Sequence, residues 1–141
     1  MQETNDIQSI IDVVKSCENV DLCTNRLDGF PECRTVMNAL NADASSLELH
    51  FITNADSPKM RQLSRDARCC LYYFNAQTRY AVRLFGELHV VNDIAEKQKY
   101  WRDRYSEFGY SGADDANLTL LQFSPKTYKF YVGDEMKTGL L

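Results

Sequence analysis

The residues of this 141-residue chain best suited by type and spacing to do chemistry are Ser57, Pro58 and Lys59. An apolar, β-branched run ends at Thr53-Asn54, and these three residues then open a short polar helical pattern, Pro58 to Arg65. Serine is a good N-cap, and proline suits the first helical position, where its missing N–H costs nothing. The free amides and positive dipole end of such a helix form an anion site. A lysine in that turn is unfavourable against the dipole unless an anion sits between them. The Ser57 hydroxyl, the backbone amides and the Lys59 ammonium could together hold a phosphate monoester. The same residues would also serve as an ordinary capped surface helix with a solvated lysine, so local pattern alone leaves both readings open. Arg34 bears on the choice. It lies on a strand that could approach the end of the 47–53 strand beside Ser57, and it would add a bidentate donor fork.

Other chemistry-bearing residues read as structural. The five cysteines, Cys17, Cys23, Cys33, Cys69 and Cys70, are odd in number and contain no Cys-x-x-Cys. Reduced cytoplasmic thiols fit better than a disulfide framework. Cys69-Cys70 lies in an apparent strand and reads as two small apolar residues on opposite faces, rather than a redox pair or metal site. His50 and His89 have no neighbours at metal-ligand spacing and read as strand histidines, so no metal is expected.

Composition sets the class. With 44% hydrophobic and 26% charged residues, the chain reads as an ordinary globular domain, expected to span 1–141 with 133–141 as a C-terminal tail. The net charge of −4 argues against nonspecific nucleic-acid binding, which needs a basic field. No apolar window approaches a membrane span, and the polar, acidic start from Met1 to Asp6 is unlike a signal peptide. A cytoplasmic protein with no membrane or nucleic-acid partner is expected.

The elements that must position Ser57, Lys59 and Arg34 follow from periodicity. Ile7, Ile10, Ile11 and Val14 predict an amphipathic helix over 5–17, capped by Thr4 or Asn5. Strands are expected at 20–27 and 32–40, joined through Asp28-Gly29, with Pro31 at the turn or an edge. Further strands are expected at 47–53, 69–74 and 79–91, with Gly86 marking a bulge or bend in the last. Asp93 should cap a helix over 94–107. Two final strands, 118–123 and 127–132, should be separated by Ser124-Pro125. Six or seven antiparallel strands with three helices predict a mainly β fold, a closed or partly closed barrel with peripheral helices.

The ordered set of segments is more specific than any one of them. Phe51-Ile52-Thr53-Asn54 followed by Ser57-Pro58-Lys59 resembles the flavin mononucleotide (FMN) signature of the pyridoxamine 5′-phosphate oxidase-like split barrels. Pro31-Glu32-Cys33-Arg34-Thr35-Val36-Met37 resembles that family's FMN-binding strand. Val82 to Leu88 is similar to its long strand with a central glycine. Tyr100-Trp101, Gly112 to Asp115 and Leu118 to Pro125 resemble its bacterial general stress protein branch. The resemblance implies a homodimeric split barrel with FMN at the subunit interface. It implies that Arg34, Ser57 and Lys59 hold the phosphate. The main chain of Thr35, Val36, Met37, Ile52 and Thr53 would run along the isoalloxazine ring. Trp101 from the partner subunit is a candidate to cover the ring, beside its equally open reading as a core anchor of the second helix.

Two departures bear on function. The oxidases proper carry a glutamine five residues before the central glycine, where this chain has Ala81. Their C-terminal Trp and Arg-x-His pattern, which serves pyridoxal phosphate, has no counterpart in Tyr131 to Asp134. True pyridoxamine phosphate oxidation is therefore not expected. The expectation is a small FMN-dependent oxidoreductase of unknown substrate, with no catalytic side chain nominated. The alternatives are a non-catalytic flavin-binding stress or redox sensor, or a split barrel binding a deazaflavin or haem.

Overall fold

The computed structural model describes residues 2–141, with side chains from Asp6 onward. Helix α1 (Gln2–Ser16) turns Ile10, Ile11, Val13 and Val14 into the core, as its spacing predicts. It begins before Thr4, and the expected caps Thr4 and Asn5 lie outside the described side chains. Seven strands follow: β1 (Asn19–Asn25), β2 (Pro31–Met37), β3 (Leu49–Asn54), β4 (Arg68–Phe74), β5 (Ala81–Val91), β6 (Leu118–Val132) and β7 (Glu135–Leu140). Helix α2 (Pro58–Arg65) lies between β3 and β4, and α3 (Ile94–Tyr100) follows β5.

All pairings are antiparallel, in the order β2-β1-β4-β5-β6-β3, with β7 beside β6. The end strands β2 and β3 come within 8 Å, Cα to Cα, without pairing. The sheet is thus rolled but open along one seam, the split-barrel architecture. Its interior is filled by Leu22, Leu49, Leu71, Tyr73, Leu84, Phe123 and Phe130, all 1% exposed or less. Alternation along β1 and β4 puts every second residue there and the intervening ones outside, as period two requires.

Four expectations need correction, each for a local physical reason. The strand expected to run to Leu40 stops at Met37, because the fully buried Asn38 turns inward. Its Nδ2 donates to Val14 O and Cys17 O at the end of α1 (2.8 Å each), and Tyr73 Oη donates to its Oδ1 (2.7 Å). The helix expected over 94–107 ends at Tyr100. Asp93 caps it through Ala95 N, but none of its residues is buried, so the packing that sustains helices is missing. A 3₁₀ turn at Asp103–Phe108 then buries Tyr105.

The break expected at Ser124-Pro125 is instead a bulge within one 15-residue strand. Phe85 pairs with Thr127 and Gly86 with Pro125, which leaves Lys126 as the extra residue. Gly86 allows this close approach: a Cβ there would collide with Ser124 O and the Phe123 ring. The segment expected as a tail pairs with β6 as β7, and Lys137 Nζ meets the buried Asp6 of α1 at 3.1 Å.

Candidate functional site

The β3–α2 junction is tightly built. Asn54 Oδ1 accepts from Asp56 N (2.9 Å), Ser57 N donates to Asn54 O (3.1 Å) and Met60 N to Ser57 O (3.0 Å). Ala55 N donates to Asn117 O, which pins the turn to the start of β6. Ser57 is therefore the N-cap of α2 with extended backbone (φ −76°, ψ 152°), and Pro58 takes the first helical position. Its side chain, however, does not cap. Ser57 Oγ is buried and has no hydrogen-bond partner among the described residues. An orphaned buried hydroxyl carries the desolvation cost without compensation, about 1–3 kcal/mol.

Lys59, one residue into α2, is half-buried and makes no ion pair with an acidic side chain among the described residues. Burial, and then the Arg34 guanidinium, hold its ammonium below the usual lysine range. A hydroxyl without a partner and a cation without a counter-ion thus share the first turn of one helix. A tetrahedral anion answers both needs and suits the dipole end as well. The residues present fit a phosphate.

Arg34 reaches α2 from β2 at Gln62, and its fork is already engaged. Nη1 donates to Thr24 Oγ1 (2.6 Å) and Leu22 O (3.3 Å); Nη2 donates to Glu32 Oε1 (3.1 Å) and Gln62 Oε1 (3.2 Å). Thr24 Oγ1 in turn donates to Gln62 Oε1, and Gln62 Nε2 to Glu32 Oε1 (3.0 Å). Hydrogen bonds from Gln62 and from Arg34 pull the Glu32 carboxyl below its ordinary range. This closed cluster ties β1, β2 and α2 together. Sequence reading missed Thr24, Glu32 and Gln62. The available signals were two: Glu32 and Arg34 are two apart on one strand, hence on one face, and Gln62 sits one turn beyond Lys59.

The remaining expected residues are distributed around the seam. Thr35 and Met37 are exposed on the outer face of β2, with Thr35 Oγ1 donating to Asp21 Oδ1 (3.2 Å), while Val36 packs on the main core. Thr53 is buried opposite Thr119, and Ile52 packs against a second cluster of Leu40, Tyr105 and Leu120. Strands β2 and β3, which carry both expected ring-contacting segments, approach each other across the seam. Trp101 packs on the same second cluster as Ile52. Its ring meets Tyr105 edge to face at 5.8 Å, and its indole N–H donates to Asp103 Oδ1 (3.2 Å). The anchoring role is thus present within the protomer. His50 stacks on Tyr100 (4.3 Å), and His89 pairs with Glu87 (2.9 Å). Among the described residues, no helix is long and apolar enough to cross a membrane.

A family model described as "Pyridoxamine 5'-phosphate oxidase like" matches residues 5–140. No curated protein matches the chain. Several solved structures share its fold. One is a protein related to general stress protein 26 from Clostridium acetobutylicum. It is 23% identical with a TM-score of 0.82, covering 97% of this chain and 95% of that one. Another is a pyridoxamine 5′-phosphate oxidase-related, FMN binding protein from Nostoc punctiforme, at 17% identity and TM-score 0.67, covering 97% and 95%. A third is a heme binding protein from Mycobacterium smegmatis, at 12% identity and TM-score 0.68, covering 92% of this chain and 57% of that one. At these identities the likeness concerns the fold.

Proposed function

The chain belongs to the pyridoxamine 5′-phosphate oxidase-like family, and from that premise we propose that it binds FMN at the β2–β3 seam, with the phosphate seated on the first turn of α2. The observation that carries this reading is the pairing of the orphaned Ser57 hydroxyl with the unpaired Lys59 ammonium. Ser57 Oγ donates one hydrogen bond to the phosphate and Lys59 Nζ supplies the counter-charge. Arg34 adds positive field from a position fixed by Thr24, Glu32 and Gln62. The main chain of Thr35 to Met37 and of Ile52 and Thr53 lines the ring. FMN, when bound, supplies hydride and single-electron chemistry, and the protein contributes position and electrostatics.

The assembly is a homodimer with the flavin at the interface, and the partner subunit's copy of Trp101 flanks the ring. The protein acts as a small flavin-dependent oxidoreductase on a substrate other than pyridoxamine phosphate, since Ala81 replaces the expected glutamine contact. FMN is favoured over haem because both histidines are engaged, His50 under Tyr100 and His89 with Glu87. The purified protein should be yellow or take up FMN on titration, release it on denaturation, and scatter light as a dimer. Failure to bind FMN, or tight binding by a monomer, would overturn the reading. If the bound flavin is neither reduced by a nicotinamide donor nor reoxidised faster than free flavin, the non-catalytic sensor function replaces the enzymatic one.

A further inference from the structure

The outer face of the barrel carries a feature that the flavin reading does not use. Register places Cys23 of β1 directly opposite Cys33 of β2 on one side and Cys70 of β4 on the other. Three thiols thus lie in one row across three strands, on the face away from the core. Cys69 points into the core and is outside the row.

The hydrogen-bond pattern distinguishes the two pairs. Arg26 N donates to Phe30 O (2.8 Å) and Asn38 N to Glu18 O (2.9 Å), one at each end of the β1–β2 ladder. Hydrogen-bonded and non-hydrogen-bonded pairs alternate along an antiparallel ladder. Counting inward from both ends, the pairs at 24/32, 22/34 and 20/36 are hydrogen-bonded, and Cys23/Cys33 is not. Non-hydrogen-bonded pairs hold their Cα atoms about 4.5 Å apart, with side chains closest. That lies within the roughly 4.4–6.8 Å span a disulfide bridges. A residue in a central strand turns its N–H and C=O to the same neighbour, so Cys23 is hydrogen-bonded to β4, and Cys23/Cys70 is the wider pair. Burial, and then Cys33 beside it, push the Cys23 thiol up to about 12.

We propose that Cys23 and Cys33, both free thiols here, form a reversible dithiol–disulfide site that hydroperoxides oxidise. Cys33 is exposed on the edge strand and is the entry point. Its thiolate attacks one peroxide oxygen; the O–O bond breaks, the leaving hydroxide takes up a proton as water, and Cys33 becomes a sulfenic acid. The Cys23 thiol then attacks the Cys33 sulfur, passing its proton to the departing oxygen. The S–O bond breaks, a second water leaves, and the S–S bond forms. Two thiols are oxidised by two electrons and one peroxide is reduced to two waters. A cellular thiol returns the pair to the dithiol by exchange. Cys23 and Cys70 line a groove of about 470 Å³ with Pro31 and Phe85, which leaves this face open to small reagents. Thr24 and Arg34 are the next residues along the two strands, so the crosslink clamps the strands that carry the polar cluster. The inference is independent of flavin binding.

The test treats the reduced full-length protein with stoichiometric hydrogen peroxide. Denatured thiol titration should fall from five to three per chain. Because Arg26 separates Cys23 from Cys33 and Glu18 separates Cys17 from Cys23, non-reducing mapping with trypsin and a glutamate-specific protease should link the peptides carrying Cys23 and Cys33, and dithiothreitol should abolish the link. Cys70→Ser should behave like the unmodified protein. Cys23→Ser should stop at a Cys33 sulfenic acid that dimedone traps. Absence of the linked peptide, linkage mainly through Cys70 or Cys17, or a native Cys33 that resists both peroxide and maleimide would each overturn the proposal. The mapping uses unmodified protein and holds even if a variant fails to fold.

Discussion

Two polar groups sit close together on α2, and they differ in one respect. Around Arg34 both terminal guanidinium nitrogens are engaged: Thr24, Glu32, Gln62 and the Leu22 carbonyl close a ring of hydrogen bonds. At the start of α2, among the described residues, Ser57 Oγ has no partner and Lys59 has no carboxylate. Both groups would look equally phosphate-ready from residue type alone. A satisfied cluster fixes strands and helix in place. An unsatisfied one, which costs stability as it stands, marks where a ligand supplies what the protein lacks.

That contrast can be broken or sharpened by substitution. The largest effect is expected in the double variant Arg34→Ala/Lys59→Ala, which should weaken FMN binding by about 4 kcal/mol, read by fluorescence titration. Arg34→Ala alone should lower unfolding free energy by about 2 kcal/mol in urea, because the Leu22 carbonyl, the Thr24 hydroxyl and the Gln62 carbonyl lose the charged donor they share, and should weaken FMN as well. Lys59→Ala should weaken FMN by about 2 kcal/mol while leaving urea stability of the ligand-free chain unchanged or raised. If Lys59→Ala destabilises the chain as Arg34→Ala does, the distinction between the two groups fails. Ser57→Ala should cost about 1 kcal/mol in FMN affinity while raising the stability of the ligand-free chain by about 1 kcal/mol, since it removes an unsatisfied buried hydroxyl and no cap hydrogen bond is lost.

The smallest effect is in pH. Lys59 is held below its usual range when folded, so the unfolded chain binds more protons in the window just below the ordinary lysine pKa. Stability of the ligand-free protein should therefore rise with pH through that window. Bound FMN or Lys59→Ala should remove the rise, as thermal melts in matched buffers would show.

Much of this was legible in the residues. The limits of α2 follow from Ser57-Pro58 at one end, and the β1–β2 hairpin from Asp28-Gly29, where Gly29 takes φ 92°. Gly86 signalled the bulge, but not that the bulge would absorb Pro125 and keep β6 whole. Strand β7 escaped because its residues are largely exposed and show no apolar stripe. Gly133-Asp134, a two-residue hairpin signal, was the mark that could have found it. At the site, the residue types pointed to Ser57, Lys59 and Arg34. Which of them was already satisfied depended on Thr24, Glu32 and Gln62, contributed by three different elements. Long-range partners of that kind leave no periodic trace in a sequence. Arg34, the most phosphate-like side chain by type, is the one the fold uses for itself.

The central claim is that the first turn of α2 recognises a phosphate, and it is tested most directly by comparing FMN with riboflavin, which lacks one. Equilibrium fluorescence titration of the apo-protein should give a riboflavin Kd roughly 1,000-fold above that of FMN, and Lys59→Ala should cut that ratio about 30-fold. Equal affinities in the parent protein, or a ratio that Lys59→Ala leaves unchanged, would contradict the account.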